Sequence, residues 1–435
     1  MSKITGRTDG QSGKGEAFSS LRVPEYKVLW WGGLFSFMAV QMQFLLRSLL
    51  AWDLTESEAS LGQVYLFFGL SMLIATPLGG VAADRLPKRA VLIGSQVLIA
   101  TAAMGMGLAV VTGRETFWML LLAAVAQGSA FGFFGPARTA FTRDLVGREQ
   151  LGNAISLSML SMNGTRIFAP SIAGALAGVA FIGIGKTYLI AGAFSVISLL
   201  AMLRLPNIAP AASTKRNPFL DIADGVRYVA ARPPLRRLVL SSLFVIMFAF
   251  NYVAFMPALI EGEFGLGEGS VGLMSTASAI GAVAAFAPVA RRADSPVARL
   301  MMICSGFGFG IGVMLLGLAP NLAVAMLITA GIGVMTNAYQ SLSNTLALAM
   351  SDETHQGRVQ SLMQLSFAGF GMAAAPLGIL AEAIGLRQTL GVMGLVAVAS
   401  MGAYVLLEQL AGQGLRDPAY SHAAQSPTAQ SAPAA

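Results

Sequence analysis

The chain has 435 residues, 55% of them apolar and only 11% charged, against roughly a quarter charged in a soluble domain. With a mean hydropathy of +0.68 and apolar runs of about twenty residues along its whole length, it is excluded from the ordinary soluble enzymes. One cysteine, Cys304, and two histidines, His355 and His422, exclude an intrachain disulfide framework and a cysteine- or histidine-rich metal centre, so no metal and no cofactor is expected.

The first 26 residues are polar, with no apolar core, so no cleavable signal peptide is expected. Twelve apolar spans follow, near 28–52, 61–83, 90–112, 117–141, 152–180, 187–204, 236–260, 269–290, 297–319, 322–349, 359–384 and 386–409. Helices are the only reading, because an open sheet cannot satisfy its backbone in lipid and the alternation of a barrel is missing. The expected class is therefore an all-α polytopic membrane protein of twelve transmembrane helices in two pseudo-symmetric six-helix bundles. Its expected parts are a cytoplasmic tail (1–27), an N-terminal bundle (28–204), a linker (205–235), a C-terminal bundle (236–411) and a disordered tail (412–435).

Between spans two and three runs Gly79-Gly80-Val81-Ala82-Ala83-Asp84-Arg85-Leu86-Pro87-Lys88-Arg89. Ionised side chains cost several kcal/mol in hydrocarbon, so this cluster must lie at a membrane surface. In the central loop, Asn217-Pro218 reads as an N-cap with proline at the first helical position. Asp221 and Asp224 favour the early turns, and Phe219, Ile222, Val226 and Val229 recur at helical spacing. An amphipathic helix on the inner surface is expected, held to anionic lipids by Lys215, Arg216, Arg227, Arg232, Arg236 and Arg237. Spans five and eleven repeat a small-residue proline motif, Ala169-Pro170-Ser171 and Ala375-Pro376-Leu377.

The net charge of +7 suggests nucleic acid until its location is considered. Most basic residues fall in loops of one side, whereas the other keeps only Arg114, Lys186 and Arg387. This asymmetry places both termini in the cytoplasm of a multi-pass plasma (inner) membrane protein.

The loop after span two resembles that between helices two and three of the major facilitator superfamily, in which Gly, three residues and Asp-Arg precede a basic turn. Gly80, Asp84, Arg85, Lys88 and Arg89 fall on this pattern, with Pro87 in place of the usual glycine. Pro136-Ala137-Arg138, Gln150-Leu151-Gly152-Asn153-Ala154 and Gly357-Arg358-Val359-Gln360-Ser361-Leu362 are similar to stretches of the branch of macrolide and enterobactin exporters. Ala169-Pro170-Ser171-Ile172-Ala173-Gly174 is similar to an antiporter signature, with alanine twice replacing glycine. A span-four motif matches at Gln127-Gly128 but has Ala124 where the family has arginine. The resemblance implies that spans one, four, seven and ten line a central cavity. It further implies that Gly80, Asp84, Arg85, Arg89, Pro170 and Arg358 serve conformational gating, with Asp84 meeting the inner end of span eleven.

Polar residues at membrane depth give the candidate substrate-binding set: Gln43, Arg47, Gln127, Phe131, Asn163, Arg166, Asn251, Asn337 and Gln340. Helical spacing groups Val40, Gln43 and Arg47, then Gln127, Phe131 and Phe134, then Asn337, Gln340 and Asn344. Arg166 lies about 21 Å into its span, too deep for the headgroups, and a guanidinium there suits an anionic ligand group. Arg47 either snorkels or pairs with Asp53. Asp53 is the candidate for proton coupling.

The expected function is secondary active transport, an efflux or antiporter activity on a small, amphipathic molecule (drug, siderophore or metabolite) by alternating access. The expected partners are substrate, membrane lipids and protons, with no nucleic acid, and the expected state is a monomer. The alternatives are an importer of a nutrient or vitamin, and a membrane sensor or membrane enzyme. No Gly-x-x-x-x-Gly-Lys-Ser/Thr loop occurs for ATP-driven transport.

Overall fold

The computed structural model describes residues 18–208, 218–293, 295–352 and 355–412. The tail readings for 1–17 and 413–435, and Lys215 and Arg216 of the linker, lie outside the described residues. Twelve α-helices make up most of the rest: α1 (Pro24–Thr55), α2 (Glu58–Arg85), α3 (Lys88–Val111), α4 (Phe117–Ala177), α5 (Gly183–Leu203), α6 (Pro218–Ala230), α7 (Pro233–Ala249), α8 (Glu268–Arg292), α9 (Ala298–Gly317), α10 (Leu322–Ala349), α11 (Gln356–Ile384) and α12 (Leu386–Leu410). Ten helices among the described residues are long and apolar enough to cross a membrane.

The run α4 is two arms that reverse at Gly147, whose φ of 71° and ψ of −179° leave the helical region. Only glycine adopts that conformation without strain. The reversal is visible against α1. On the first arm Phe134 and Phe131 meet Phe37, and Arg138 meets Gly33, so the two run antiparallel. On the second arm Tyr26 and Trp30 of α1 donate to the carbonyls of Ala154 and Leu157, so those two run parallel.

Chain direction therefore defines two faces. The near face gathers the start of α1, the α2–α3 turn, Gly147, α6 and the end of α12; the far face gathers the α1–α2 turn, the α7–α8 connection and Gly385, the φ +96° residue joining α11 to α12. Helix α7 does not run regularly to 260 as expected. It tightens into a 3-10 turn at Phe250–Val253 and opens into a π-turn at Ala258–Glu263. Pro257 lies between them and has no N–H to give the preceding turn.

Contacts group α1 to α5 together and α7 to α12 together, and the groups meet through α2 against α11 and the second arm of α4 against α8. The close backbone approaches between the groups lie toward the far face. Gly62 abuts Ala374, Gly378 abuts Glu58, and Gly174 abuts Gly272 so tightly that a methyl on Gly174 would lie 2.3 Å from the Gly272 Cα. On the near face the second group is fastened by Glu408, 1% exposed, which pairs with both Arg237 and Arg299. Removing one partner from such a buried set costs about 3–5 kcal/mol, because the other charge is stranded.

Candidate functional site

The helix pattern puts rings from both groups in one layer beneath the far-face contacts. Arg47 of α1 is 2% exposed, with its guanidinium 4.8 Å from the Phe68 ring of α2. Phe68 meets Phe44 at 6.1 Å, Phe44 meets Phe370 of α11 at 5.6 Å, and Phe370 meets Phe250 at 5.7 Å. Phe250 in turn lies 4.7 Å from the Arg166 guanidinium. Tyr65 buttresses the chain of rings, 5.4 Å from Phe370, with its hydroxyl donating to the Phe44 carbonyl. A bridge of aromatic rings thus spans the two groups with a guanidinium at each end. Each ring–cation contact contributes about 0.5–2 kcal/mol, more as water is excluded.

Of the residues expected to bind substrate, Arg166 and Gln340 are brought together: Arg166 Nη1 donates to Gln340 Oε1 at 2.8 Å, crossing from α4 to α10. Gln43 is one turn before Arg47 and 4% exposed, with its Nε2 buried and unpartnered among the described residues. Both amide atoms of Gln127 are likewise buried without a partner among the described residues. A buried amide left unpaired costs about 1–3 kcal/mol, so these are atoms that a polar ligand group would satisfy.

The other residues are engaged or placed differently. Phe131 packs on Phe37, nearer the near face. Asn251 is fully buried but gives its amide to the carbonyls of Met247 and Phe370, tying α7 to α11. Asn337 donates to the Ala282 carbonyl of α8. Asn163 is exposed one turn before Arg166.

Arg47 does not pair with Asp53, which is exposed. Six residues on a helix place the two about 120° apart, and Arg47 turns to Phe68 instead. Asp53 joins Glu268 in repelling Glu261, whose carboxyl is pushed up to about 7, first by burial and then by these two charges.

At the near face Asp84 and Arg85 are exposed, and Asp84 makes no ion pair among the described residues. Gly79 of this glycine pair approaches Gly132 and Phe133 of α4 closely. Arg89 donates to the Leu203 carbonyl, and Lys88 pairs with Asp144, locking α3 to the first arm of α4. Pro170 lies inside the second arm. Arg358 packs its Cβ near Gly225 of α6. Beside it, Tyr228 is stacked between His355 (4.0 Å) and Arg232 (3.6 Å), and Arg232 pairs with Asp352. Helix α6 therefore buries Gly225, Tyr228 and Val229 against the protein and leaves Val226 exposed.

Residues 15–427 match the family described as transmembrane secretion effector. The chain belongs to that family, within the major facilitator superfamily. It is 27% identical to the enterobactin exporter of Shigella boydii serotype 18 over 330 residues, 75% of this chain and 77% of that one. The enterobactin exporter of Escherichia coli O1:K1 is 26% identical over the same shares. Among solved structures, a mutant of the nucleoside transporter NupG superposes with a TM-score of 0.71 at 14% identity, covering 88% of this chain and 99% of that chain. A bacterial homologue of the human lysosomal transporter Spinster, in an inward-facing and unoccupied conformation, gives 0.70 at 16% identity, covering 92% and 98%. These likenesses show the fold. The family and the curated relatives make this an integral inner-membrane transporter and not an enzyme.

Sequence reasoning missed the rings of the bridge, Phe44, Tyr65, Phe68, Phe250 and Phe370. It also missed Glu261 as the perturbed carboxyl and Glu408 as a buried charge. The last had a signal: Glu408 falls in an apolar helix with basic residues at the starts of α7 and α9.

Proposed function

We propose that this transporter exports a small amphipathic molecule carrying an aromatic or other flat apolar part and an anionic group. The observation that carries this reading is the ring bridge with Arg47 and Arg166 at its ends. Flat apolar surface suits the rings, and an anionic group suits a planar guanidinium, which offers two parallel hydrogen bonds to a carboxylate. The relatives named as enterobactin exporters support export as the direction.

The chain is read as twelve crossings in two six-helix halves working as a monomer by alternating access. Packing at the far face, with Asp84 exposed at the near face, corresponds to the state open to the cytoplasm. Asp84 then meets the N-terminus of α11 near Arg358 when the near face closes, where helix dipole and guanidinium attract it. Protons are assigned as the coupling ion, taken up at the far-face carboxylates Asp53, Glu261 and Glu268.

The test is flux of an aromatic carboxylate in everted membrane vesicles and in whole cells, with an imposed proton gradient. Proton-dependent accumulation in everted vesicles is expected. Accumulation in whole cells alone would make the protein an importer, and flux indifferent to protein level would remove the reading.

A further inference from the structure

Arg138 is counted by the sequence among the basic residues of the near-face loops, but the structure puts it inside. It is 7% exposed, its Nε and Nη2 are buried, and neither has a hydrogen-bond partner among the described residues. The guanidinium lies 4.9 Å from the Phe37 ring. It is also set against Gly33 so closely that a methyl there would be 2.8 Å from both Nε and Nη2. The missing side chain at Gly33 and the ring face of Phe37 together form a cradle for one guanidinium. A basic side chain obeying topology alone would extend to the headgroups. This one turns its donors into the protein, about 14 Å in from the start of α1.

Its height completes a series. Arg138 is level with Gly33 of α1. The parallel register of α1 with the second arm of α4, set by Tyr26 on Ala154 and Leu45 on Gly174, puts Arg166 level with about Met38. Arg47 is on α1 itself. At the helical rise these guanidiniums stand roughly 7 Å and then roughly 14 Å apart along the membrane normal. Each faces a phenylalanine ring.

We propose that Gly33, Phe37 and Arg138 form a separate anion-binding station on the near-face side of Arg166, which takes the carboxylate or a similar planar oxyanion of the cargo before Arg166 does. A guanidinium with two free N–H donors matches such a group in a way that a lysine does not. The proposal rests on the reading that the cargo is anionic.

Trp30 and Trp31 lie on α1 within a turn of Gly33, so their fluorescence reports this station once Trp52 and Trp118 are replaced by phenylalanine. The probes are naphthalene-2-carboxylate and its neutral carboxamide, titrated into purified full-length protein in nanodiscs. The carboxylate is expected to quench with an affinity that falls about ten- to a hundredfold in Arg138→Gln, the loss of a charged hydrogen bond. Arg166→Gln is expected to leave this quenching in place, and the carboxamide is expected to be indifferent to either change. Gly33→Ala, which crowds the guanidinium, and Phe37→Leu should each weaken carboxylate binding; they decide the matter if Arg138→Gln does not yield folded protein. Wild-type affinity in these variants overturns the station while leaving the anionic cargo intact. Quenching lost in Arg166→Gln but kept in Arg138→Gln does the same. Absence of carboxylate binding to the parent protein overturns both readings.

Discussion

Replacing Arg166 by lysine separates charge from shape at the end of the ring bridge. Lysine keeps the positive charge but loses the planar fork and the flat contact with Phe250. In the structure the guanidinium lies 4.7 Å from that ring and donates to Gln340 at 2.8 Å. An anionic cargo that loses one charged hydrogen bond of a bidentate pair loses about 1.5–3 kcal/mol, or roughly 10- to 150-fold in affinity. Arg166→Ala removes the charge as well and is expected to abolish measurable uptake of the anionic compound. A neutral compound with the same ring system should be transported by both variants at close to the parent rate. The assay is uptake of the matched pair into everted vesicles, normalised to the amount of protein in the membrane. Equal losses for the charged and neutral compounds would assign Arg166 to packing between α4 and α10 and refute the charge argument.

Gly174→Ala should push the far face open, since its methyl would meet the Gly272 backbone and overpacking costs about 1–3 kcal/mol. Thiol labelling of Ser270→Cys, in a Cys304→Ser background, should rise accordingly, and unchanged labelling would count against the closed-gate reading. Glu261 binds its proton in the closed arrangement with a value of about 7, against an ordinary 4.5. The neutral form therefore favours closure, and that stabilisation is lost as the pH rises through about 7. The same labelling should increase over that interval and become flat in Glu261→Gln; an identical profile in the variant would remove Glu261 from the switch. Asp84→Asn should slow transport with the protein still folded in the membrane, and wild-type flux would deny it a latch role.

The apolar runs disclosed the membrane class because length and hydropathy are properties of one segment at a time. Even Gly147, which divides α4, was legible as a polar interruption between two runs. Where the chain departs from regular helix, at Phe250–Val253 and Ala258–Glu263, the apolar count was blind. Hydropathy does not change when a helix tightens or widens around Pro257. Asn251 shows the same limit in a side chain. At membrane depth an amide reads as a ligand group, yet here the Met247 and Phe370 carbonyls take its donors.

The rings of the bridge were hidden for a different reason. Phe44 and Phe370 are 326 residues apart in the chain, with Phe68 and Phe250 between them, and each is an ordinary apolar side chain in its own segment. Their meaning comes from two groups of helices meeting in the far half, where glycines let the backbones touch and leave the rings beneath as one layer. The arginines follow the same logic from the other side. A count of basic residues by loop assigns Arg138 to a surface and treats Arg47 and Arg166 as exceptions. Three guanidiniums facing three rings at successive heights need no exceptions, because each has flat apolar support from a phenylalanine of the protein.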